Sequence, residues 1–177
     1  MLKTLAIIGG AIAALLAAVL IYAATRPDVF RVQRAATIKA PPEKISAVLA
    51  DLRGWQAWSP WEKMDPALKR SYGGEAKGKG AVYAWEGNKE VGQGRMEITD
   101  AGASRVAIDL DFVKPFEAHN KVVFTLAPKG DSTEVTWAMQ GPLPYMAKVV
   151  HVFLDMDSMV GKQFETGLAN LKAVTEK

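Results

Sequence analysis

The stretch that most constrains the fold is residues 145–177, which contains no proline and follows a helix-breaking segment, residues 141–144. Its apolar residues recur every three or four positions, which places them on one face of a helix. They are Val149, Phe153, Met156, Val160, Phe164, Leu168 and Leu171. Charged residues such as Lys162 and Glu165 occupy the opposite face. The pattern predicts one long amphipathic helix that needs a second apolar surface to cover it.

The preceding residues supply that surface as a series of short strands. Turn signals, among them Gly73-Gly74, separate runs that alternate between apolar and polar residues or are rich in β-branched and aromatic residues. The predicted strands are 29–38, 69–72, 81–86, 91–99, 105–112, 117–126 and 133–139. Because most gaps between the later strands are short, neighbouring strands should pair as antiparallel hairpins.

A helical segment interrupts the strands after the first one. Pro41-Pro42 is compatible with a helix start, and the apolar spacing that follows predicts an amphipathic helix. Its apolar residues are Ile45, Val48, Leu49 and Leu52. The next segment, residues 54–66, contains Trp55, Trp58 and Trp61. These tryptophans either cover an apolar cavity as a lid or pack a second short helix against the sheet.

The order of elements predicts a two-layer α+β domain, residues 29–177. If the antiparallel sheet, which has one apolar face, curls around the long C-terminal helix, it leaves a cavity between the two. The residues expected to line this cavity and bind the ligand are Leu110, Phe112, Val122, Phe124, Trp137, Met139, Phe153, Met156 and Val160.

The N-terminal segment, residues 1–26, is predicted to be a transmembrane anchor. Residues 5–24 contain no charge, and a run of about 20 apolar residues spans the hydrocarbon core of a bilayer. The alternative is a cleaved signal peptide with Ala23 and Ala24 near the cleavage point. The apolar region of a signal peptide is usually about 7–15 residues long, so the length favours the anchor.

Two features of this segment leave its arrangement open. Lys3 precedes the apolar run and several basic residues, beginning with Arg26, follow it, so the side of the membrane that holds the domain is not decided. Small residues form a ridge at a spacing of four, which would allow a homodimer through the membrane helix or reflect the ordinary composition of such helices. They are Ala6, Gly10, Ala14 and Ala18.

The composition excludes several classes of function. The chain has no cysteine, which excludes disulfides, thiol catalysis and cysteine metal sites. Its net charge of +3 and the lack of an arginine-rich block argue against nucleic-acid binding. The sequence has two histidines but no metal-ligand cluster, glycine-rich phosphate loop or nucleophile motif, so it predicts neither a metal nor a cofactor.

One arrangement would nevertheless suit an enzyme. Asp157 lies at the edge of the predicted apolar stripe, and a carboxylate at the rim of a cavity can have a raised pKa and act as an acid or base. His119 or Tyr83 would be its partner. The competing interpretation makes Asp157 a solvated residue or an ion-pair partner of Lys162, and His119 a surface residue.

Five segments resemble the SRPBCC superfamily, and most closely its START-related, polyketide cyclase/dehydrase-like bacterial branch. These segments are residues 40–43, 58–61, 80–88, 94–99 and 130–137. The resemblance implies the helix-grip fold, a curved antiparallel sheet that holds the C-terminal helix around a hydrophobic cavity. The superfamily includes lipid carriers, cyclases and co-chaperones, so the resemblance indicates a fold more than an activity.

We therefore expect a single-pass protein of a bacterial inner membrane whose non-enzymatic domain binds a hydrophobic or lipid-like small molecule. Its expected partners are that molecule and the membrane. The alternatives are a cyclase- or dehydratase-like enzyme that uses the cavity-rim acid or base, and a co-chaperone-like interaction module whose core would be filled by its own side chains.

Overall fold

The structure is a computed structural model that describes residues 2–177; Met1, the first residue of the predicted anchor, lies outside them. Its helices are α1 (Leu2–Thr25), α2 (Pro42–Leu49), α3 (Tyr145–His151) and α4 (Met156–Thr175). Its strands are β1 (Val29–Ile38), β2 (Lys69–Gly74), β3 (Ala81–Glu86), β4 (Gln93–Ala101), β5 (Arg105–Lys114), β6 (Ala118–Lys129) and β7 (Ser132–Pro142). Two 3₁₀ helices, Leu52–Ala57 and Pro60–Lys63, precede β2.

The strands form one antiparallel sheet in the order β1-β7-β6-β5-β4-β3-β2. The hairpins predicted for β2 to β7 are present, and β1 pairs with the last strand, β7. The sheet curves around α4 without closing, because β1 and β2 remain its two edges. The predicted helix-grip architecture is therefore confirmed.

The two ends of the sheet differ in what they adjoin. At one end β1 begins and β7 ends, with Val29 paired to Pro142, and the turn between β5 and β6 lies at the same end. We call it the anchor end, because α1 leads into β1 there. The distal half of the grip is close-packed with large apolar side chains. They are Ile38, Ile98, Val106, Leu126, Val135, Leu168 and Leu171, all buried.

The prediction of a single C-terminal helix over residues 145–177 is wrong. The chain forms α3, a turn and then α4, because Asp155 caps a new helix by accepting a 3.0 Å hydrogen bond from the backbone N–H of Ser158. The interruption resets the helical register. As a result the apolar stripe does not continue through the turn, and the side chain of Phe153 is 72% exposed.

Helix α4 lies close to the sheet through one aromatic contact. The ring of Phe164 stacks on that of Trp137 with centroids 4.2 Å apart and planes within 7°. One turn further along, a Cβ atom at Gly167 would lie only 2.6 Å from the indole of Trp137. Glycine at this position therefore allows the close approach of helix and sheet.

Helix α1 extends away from the domain, with nearly all of its side chains exposed. Within Lys3–Thr25 a window of 18 residues has a mean hydropathy of 2.6, and the helix is long enough to cross a membrane. A signal sequence near an N-terminus can also contain a helix that is apolar and long enough to cross a membrane. The small-residue ridge from Ala6 to Ala18 is exposed, and dimerisation through it stays a prediction.

Candidate functional site

A cavity of about 260 Å³ lies between the sheet, the 3₁₀ helices and the first half of α4. The strand residues that line it come from the anchor-end half of the sheet, as shown by Phe112 near the end of β5 and Met139 near the end of β7. Helix α4 contributes Val160 and Phe164 from its first half. The cavity thus occupies the half of the grip nearest α1, and the distal half is filled.

The structure brings six of the nine predicted lining residues together on the cavity wall. They are Leu110, Phe112, Val122, Trp137, Met139 and Val160. Their shared position follows from the alternation along β5, β6 and β7, which turns every second side chain toward α4. That these residues bind a ligand stays a prediction.

The other three predicted lining residues lie elsewhere, and for them the prediction is wrong. Phe124 is fully buried behind the wall, edge-on to Trp55 and Trp58. Phe153 and Met156 adjoin a separate depression beside Arg26 at the end of α1. Phe153 belongs to the turn before α4, so the interruption at Asp155 explains its position, whereas Met156 is the first residue of α4 and lies beyond the cavity wall formed by Val160 and Phe164.

The tryptophan-rich segment serves both roles considered for it. Trp58 is fully buried and packs edge-on against Trp137 with centroids 5.6 Å apart. Trp55 and Trp61, in contrast, line the cavity. The segment thus anchors the 3₁₀ helices to the sheet and also provides one wall of the cavity.

A buried polar cluster interrupts the apolar wall. The carboxylate of Glu62, whose side chain is 6% exposed, accepts a 2.7 Å hydrogen bond from Nε of Arg70 and another of 2.7 Å from the hydroxyl of Tyr83. Burial, followed by the hydrogen bond to Glu62, raises the pKa of Tyr83 well above its ordinary value. The hydrogen bond from Arg70 to Glu62 likewise raises the pKa of the guanidinium, which stays charged.

Glu62 and Arg70 were not among the predicted site residues. Glu62 lies in a short 3₁₀ helix, and such a helix gives no regular apolar period in the sequence. Arg70 fits the polar positions of an ordinary edge strand, so its position in the sequence does not mark it as a site residue. Their pairing depends on how the tryptophan-rich segment folds back onto β2. The only signal in the sequence was a charged residue directly after Trp61.

The structure does not assemble the acid–base pair of the enzyme alternative. Asp157 lies outside the cavity and pairs with Arg34, Oδ2 to Nη2 at 2.9 Å, rather than with Lys162. This hydrogen bond lowers the pKa of Asp157 instead of raising it. His119 is on the outer face of the sheet, 2.7 Å from Asp111, and only Tyr83 reaches the cavity.

A metal site is not evident among residues 2–177, where no three His, Asp or Glu side chains are grouped so as to hold an ion. The buried cluster contains a single carboxylate, that of Glu62, and two hydrogen-bond donors. It can orient a polar group of a bound molecule. Together with the mostly apolar wall, it defines a helix-grip protein with a small internal cavity that contains a buried polar cluster.

The sequence comparison agrees with this class. The family described as polyketide cyclase / dehydrase and lipid transport matches residues 29–176, and the chain belongs to this family. The superfamily membership expected from the sequence is thereby confirmed. No curated protein matches the chain significantly.

Solved structures share the fold at low sequence identity. Protein CV1439 from Chromobacterium violaceum is 15% identical with a TM-score of 0.58, over 86% of this chain and 99% of that one. The Aha1 dimer from Colwellia psychrerythraea is 17% identical with a TM-score of 0.58, over 83% and 96%. TTHA0849 from Thermus thermophilus is 18% identical with a TM-score of 0.56, over 81% and 95%.

Proposed function

We propose that this protein is a membrane-tethered domain that binds one small hydrophobic molecule, or the apolar part of a lipid, in the cavity beneath α4. The observation that carries the proposal is the apolar space of about 260 Å³ within a packed core. Close-packed interiors contain few voids larger than water. The volume of this cavity exceeds the roughly 150 Å³ that accommodates benzene and is close to the roughly 300 Å³ of the smallest ordinary ligand pockets. It therefore suits one small hydrophobic molecule.

The polar cluster indicates one further property of the ligand. A carboxylate offers about four acceptor sites, and Arg70 and Tyr83 occupy two of those on Glu62. A ligand hydroxyl could donate to a remaining site, since Glu62 lines the cavity. Apolar burial at about 25 cal/mol per Å² would supply most of the affinity, and this contact would fix the orientation.

The tether is supported by contacts between α1 and the domain. The hydroxyl of Tyr145 donates a 2.9 Å hydrogen bond to the carbonyl of Leu20 in α1, and Lys148 pairs at 2.5 Å with Asp28 in the connection directly after α1. Ala23 is fully buried by this packing. Cleavage near Ala23 would remove part of this docking surface, so the contacts favour a retained helix over a cleaved signal.

The protein-interaction alternative expects a core without room for a ligand. The family description includes lipid transport, and the cavity is apolar along most of its wall, so ligand binding is the better supported function. The enzyme alternative lacks an assembled pair of acid and base, because Asp157 and His119 lie outside the cavity.

The test is native mass spectrometry of the full chain after gentle extraction from membranes, with identification of the molecules in an organic extract. We expect a copurified hydrophobic molecule at about one per chain. The variant Val122→Phe places a larger side chain in the cavity and should release it. The neighbouring variant Val123→Phe points to the opposite face of β6 and should retain it.

Both variants keep α1, so lipid held around the membrane helix is the same in the pair. Val160→Phe fills the same cavity from α4 and should also release the ligand. It provides a second test in case Val122→Phe does not fold. If all four proteins carry the same molecules, or if the wild type is repeatedly empty, the proposal is wrong.

A further inference from the structure

Helix α3 and the turn after it expose a row of large apolar side chains. They are Met146, Val150, Phe153 and Leu154, with exposed fractions of 70%, 49%, 72% and 46%. Met146 and Val150 are one turn apart on α3, and Phe153 and Leu154 follow in the turn, where the N–H of Leu154 donates to the carbonyl of Val150 at 3.1 Å. We call these four residues the α3 patch. A contiguous exposed apolar surface of this kind marks a site of association.

The position of α3 relative to α1 indicates what covers the patch. The hydrogen bond from Tyr145 to the carbonyl of Leu20 joins the start of α3 to a residue five positions before the end of α1. At 1.5 Å per residue, Tyr145 lies about 7 Å inside the end of the apolar helix. The pair Lys148–Asp28 joins α3 to the connection between α1 and β1.

We propose that the α3 patch inserts into the surface of the bilayer that α1 crosses, so that the domain rests on the membrane instead of hanging from a free tether. The inference rests on the proposed membrane anchoring. Interfacial helices bury their apolar face about 5–10 Å into the boundary between headgroups and acyl chains, which matches the depth of Tyr145. The phenol of Tyr145 would lie where interfacial aromatic residues are enriched.

A second observation supports the same orientation. Phe116, in the turn between β5 and β6, is 81% exposed, and this turn is at the anchor end of the sheet. It is separated from the start of β1 by two to three strand spacings, about 10–15 Å. Exposed apolar side chains thus occur at two separate points of the end from which α1 emerges.

The docked orientation has a consequence for the ligand. The cavity occupies the anchor-end half of the grip, and Val160 on its wall follows the α3 patch by little more than one helical turn. Docking would therefore leave only a short route between the bilayer and the cavity. The chemical class of ligand that fits this route is one that already partitions into lipid.

The absence of cysteine makes the test direct, because single labelling sites can be introduced without removing native ones. Met146→Cys and Phe153→Cys in the full chain would carry an environment-sensitive nitrobenzoxadiazole label. Ile21→Cys, exposed on α1, reports membrane insertion. Ser104→Cys, in the turn at the distal end of the sheet, reports the solvent-facing side.

The proteins are reconstituted into phosphatidylcholine vesicles with or without acyl chains that carry a nitroxide quencher. Docking predicts that the labels at Met146 and Phe153 lose about half of their fluorescence or more, as expected for side chains at acyl depth. The label at Ile21 should be quenched at least as strongly. The label at Ser104 should be unaffected.

The outcomes separate the two proposals. If the label at Ile21 is quenched but the labels at Met146 and Phe153 are as unaffected as the label at Ser104, docking is overturned and membrane anchoring is left intact. No quenching at Ile21 overturns the membrane tether and docking with it. Shielding of Phe153 from aqueous iodide without quenching by the lipid nitroxide means that another protein surface covers the patch, and this result also overturns docking.

Discussion

The hydroxyl of Tyr83 donates a 2.7 Å hydrogen bond to Oε1 of Glu62 inside the cavity wall. Burial of the ring is the larger reason that the pKa of Tyr83 is raised above 10.0, and the Glu62 hydrogen bond is the second. In the unfolded chain the same phenol ionises near pH 10. Its contribution to stability is therefore complete below about pH 10 and is lost as pH rises toward the folded pKa.

This linkage predicts a difference between the wild type and Tyr83→Phe. The free energy of unfolding of the wild type should fall more steeply between about pH 9.5 and 11, because only the wild type has this phenol to ionise on unfolding. Urea unfolding followed by tryptophan fluorescence measures both slopes. Glu62→Gln should give an intermediate slope, since burial remains, and equal slopes in wild type and Tyr83→Phe would contradict the buried, hydrogen-bonded phenol.

The Glu62–Tyr83 pair also shows what the sequence could and could not predict. Strand β3 was predicted at its observed bounds, Ala81–Glu86, because alternation is a local property. The bond from Tyr83 to Glu62 joins residues 21 positions apart and depends on how the tryptophan-rich segment lies on the sheet. No periodicity in the sequence records such a contact.

The C-terminal helix shows a different limit. The stripe from Val160 to Leu171 was predicted correctly as the face that packs on the sheet. The interruption at Asp155 was not, because an acidic residue between apolar neighbours fits a helix surface as well as an N-cap. The interruption left Phe153 in the turn, outside the predicted stripe, whereas five of the six residues predicted on β5 to β7 line the cavity.

The close approach of α4 to Trp137 predicts that Gly167→Ala destabilises the protein. The added Cβ would lie 2.6 Å from the indole and 3.2 Å from Pro60, and overpacking of this kind costs about 1–3 kcal/mol. Gly73→Ala is the matched control, because nothing lies within 4 Å of its Cβ position. Urea unfolding should show a clear loss for the first variant alone, and equal stability of the two would contradict the packing of α4.

The two histidines should titrate on opposite sides of pH 6.5. The hydrogen bond that His119 donates to the Asp111 carboxylate raises the pKa of His119, and burial, followed by the charge of Arg26, lowers that of His151. Proton NMR of the imidazole signals measures both values, and His119→Gln assigns them because the chain has two histidines.

Asp111→Asn provides the control for the cause of the His119 shift. It removes the carboxylate 2.7 Å from Nδ1 and should return the pKa of His119 toward 6.5. The signal of His151, which packs against Phe30, should not move. An unchanged His119 would mean that this pair does not form in solution.

The last prediction concerns Asp157. In the enzyme alternative this residue is an acid or base, whereas in the structure it forms an ion pair at the surface. Its carboxylate is paired with Arg34, which also binds Glu165 at 2.8 Å, and the hydrogen bond from Arg34 lowers the pKa of Asp157 below 3.8. Stability from this pair is present above the unfolded pKa and is lost as pH falls through the lower folded value.

Asp157→Asn should therefore be slightly less stable than the wild type at pH 7, and the difference should shrink as the pH is lowered below about 4. The amount of copurified ligand should not change, because Asp157 lies outside the cavity. Asp131→Asn, which loses a 3.6 Å ion pair with Lys39 between exposed side chains and keeps an acceptor oxygen for the hydroxyl of Ser132, is the control. Urea unfolding across this pH range and native mass spectrometry measure the two properties. Loss of the ligand in Asp157→Asn, with stability unchanged, would favour a role for this carboxylate in the site over its role in holding α4 to β1.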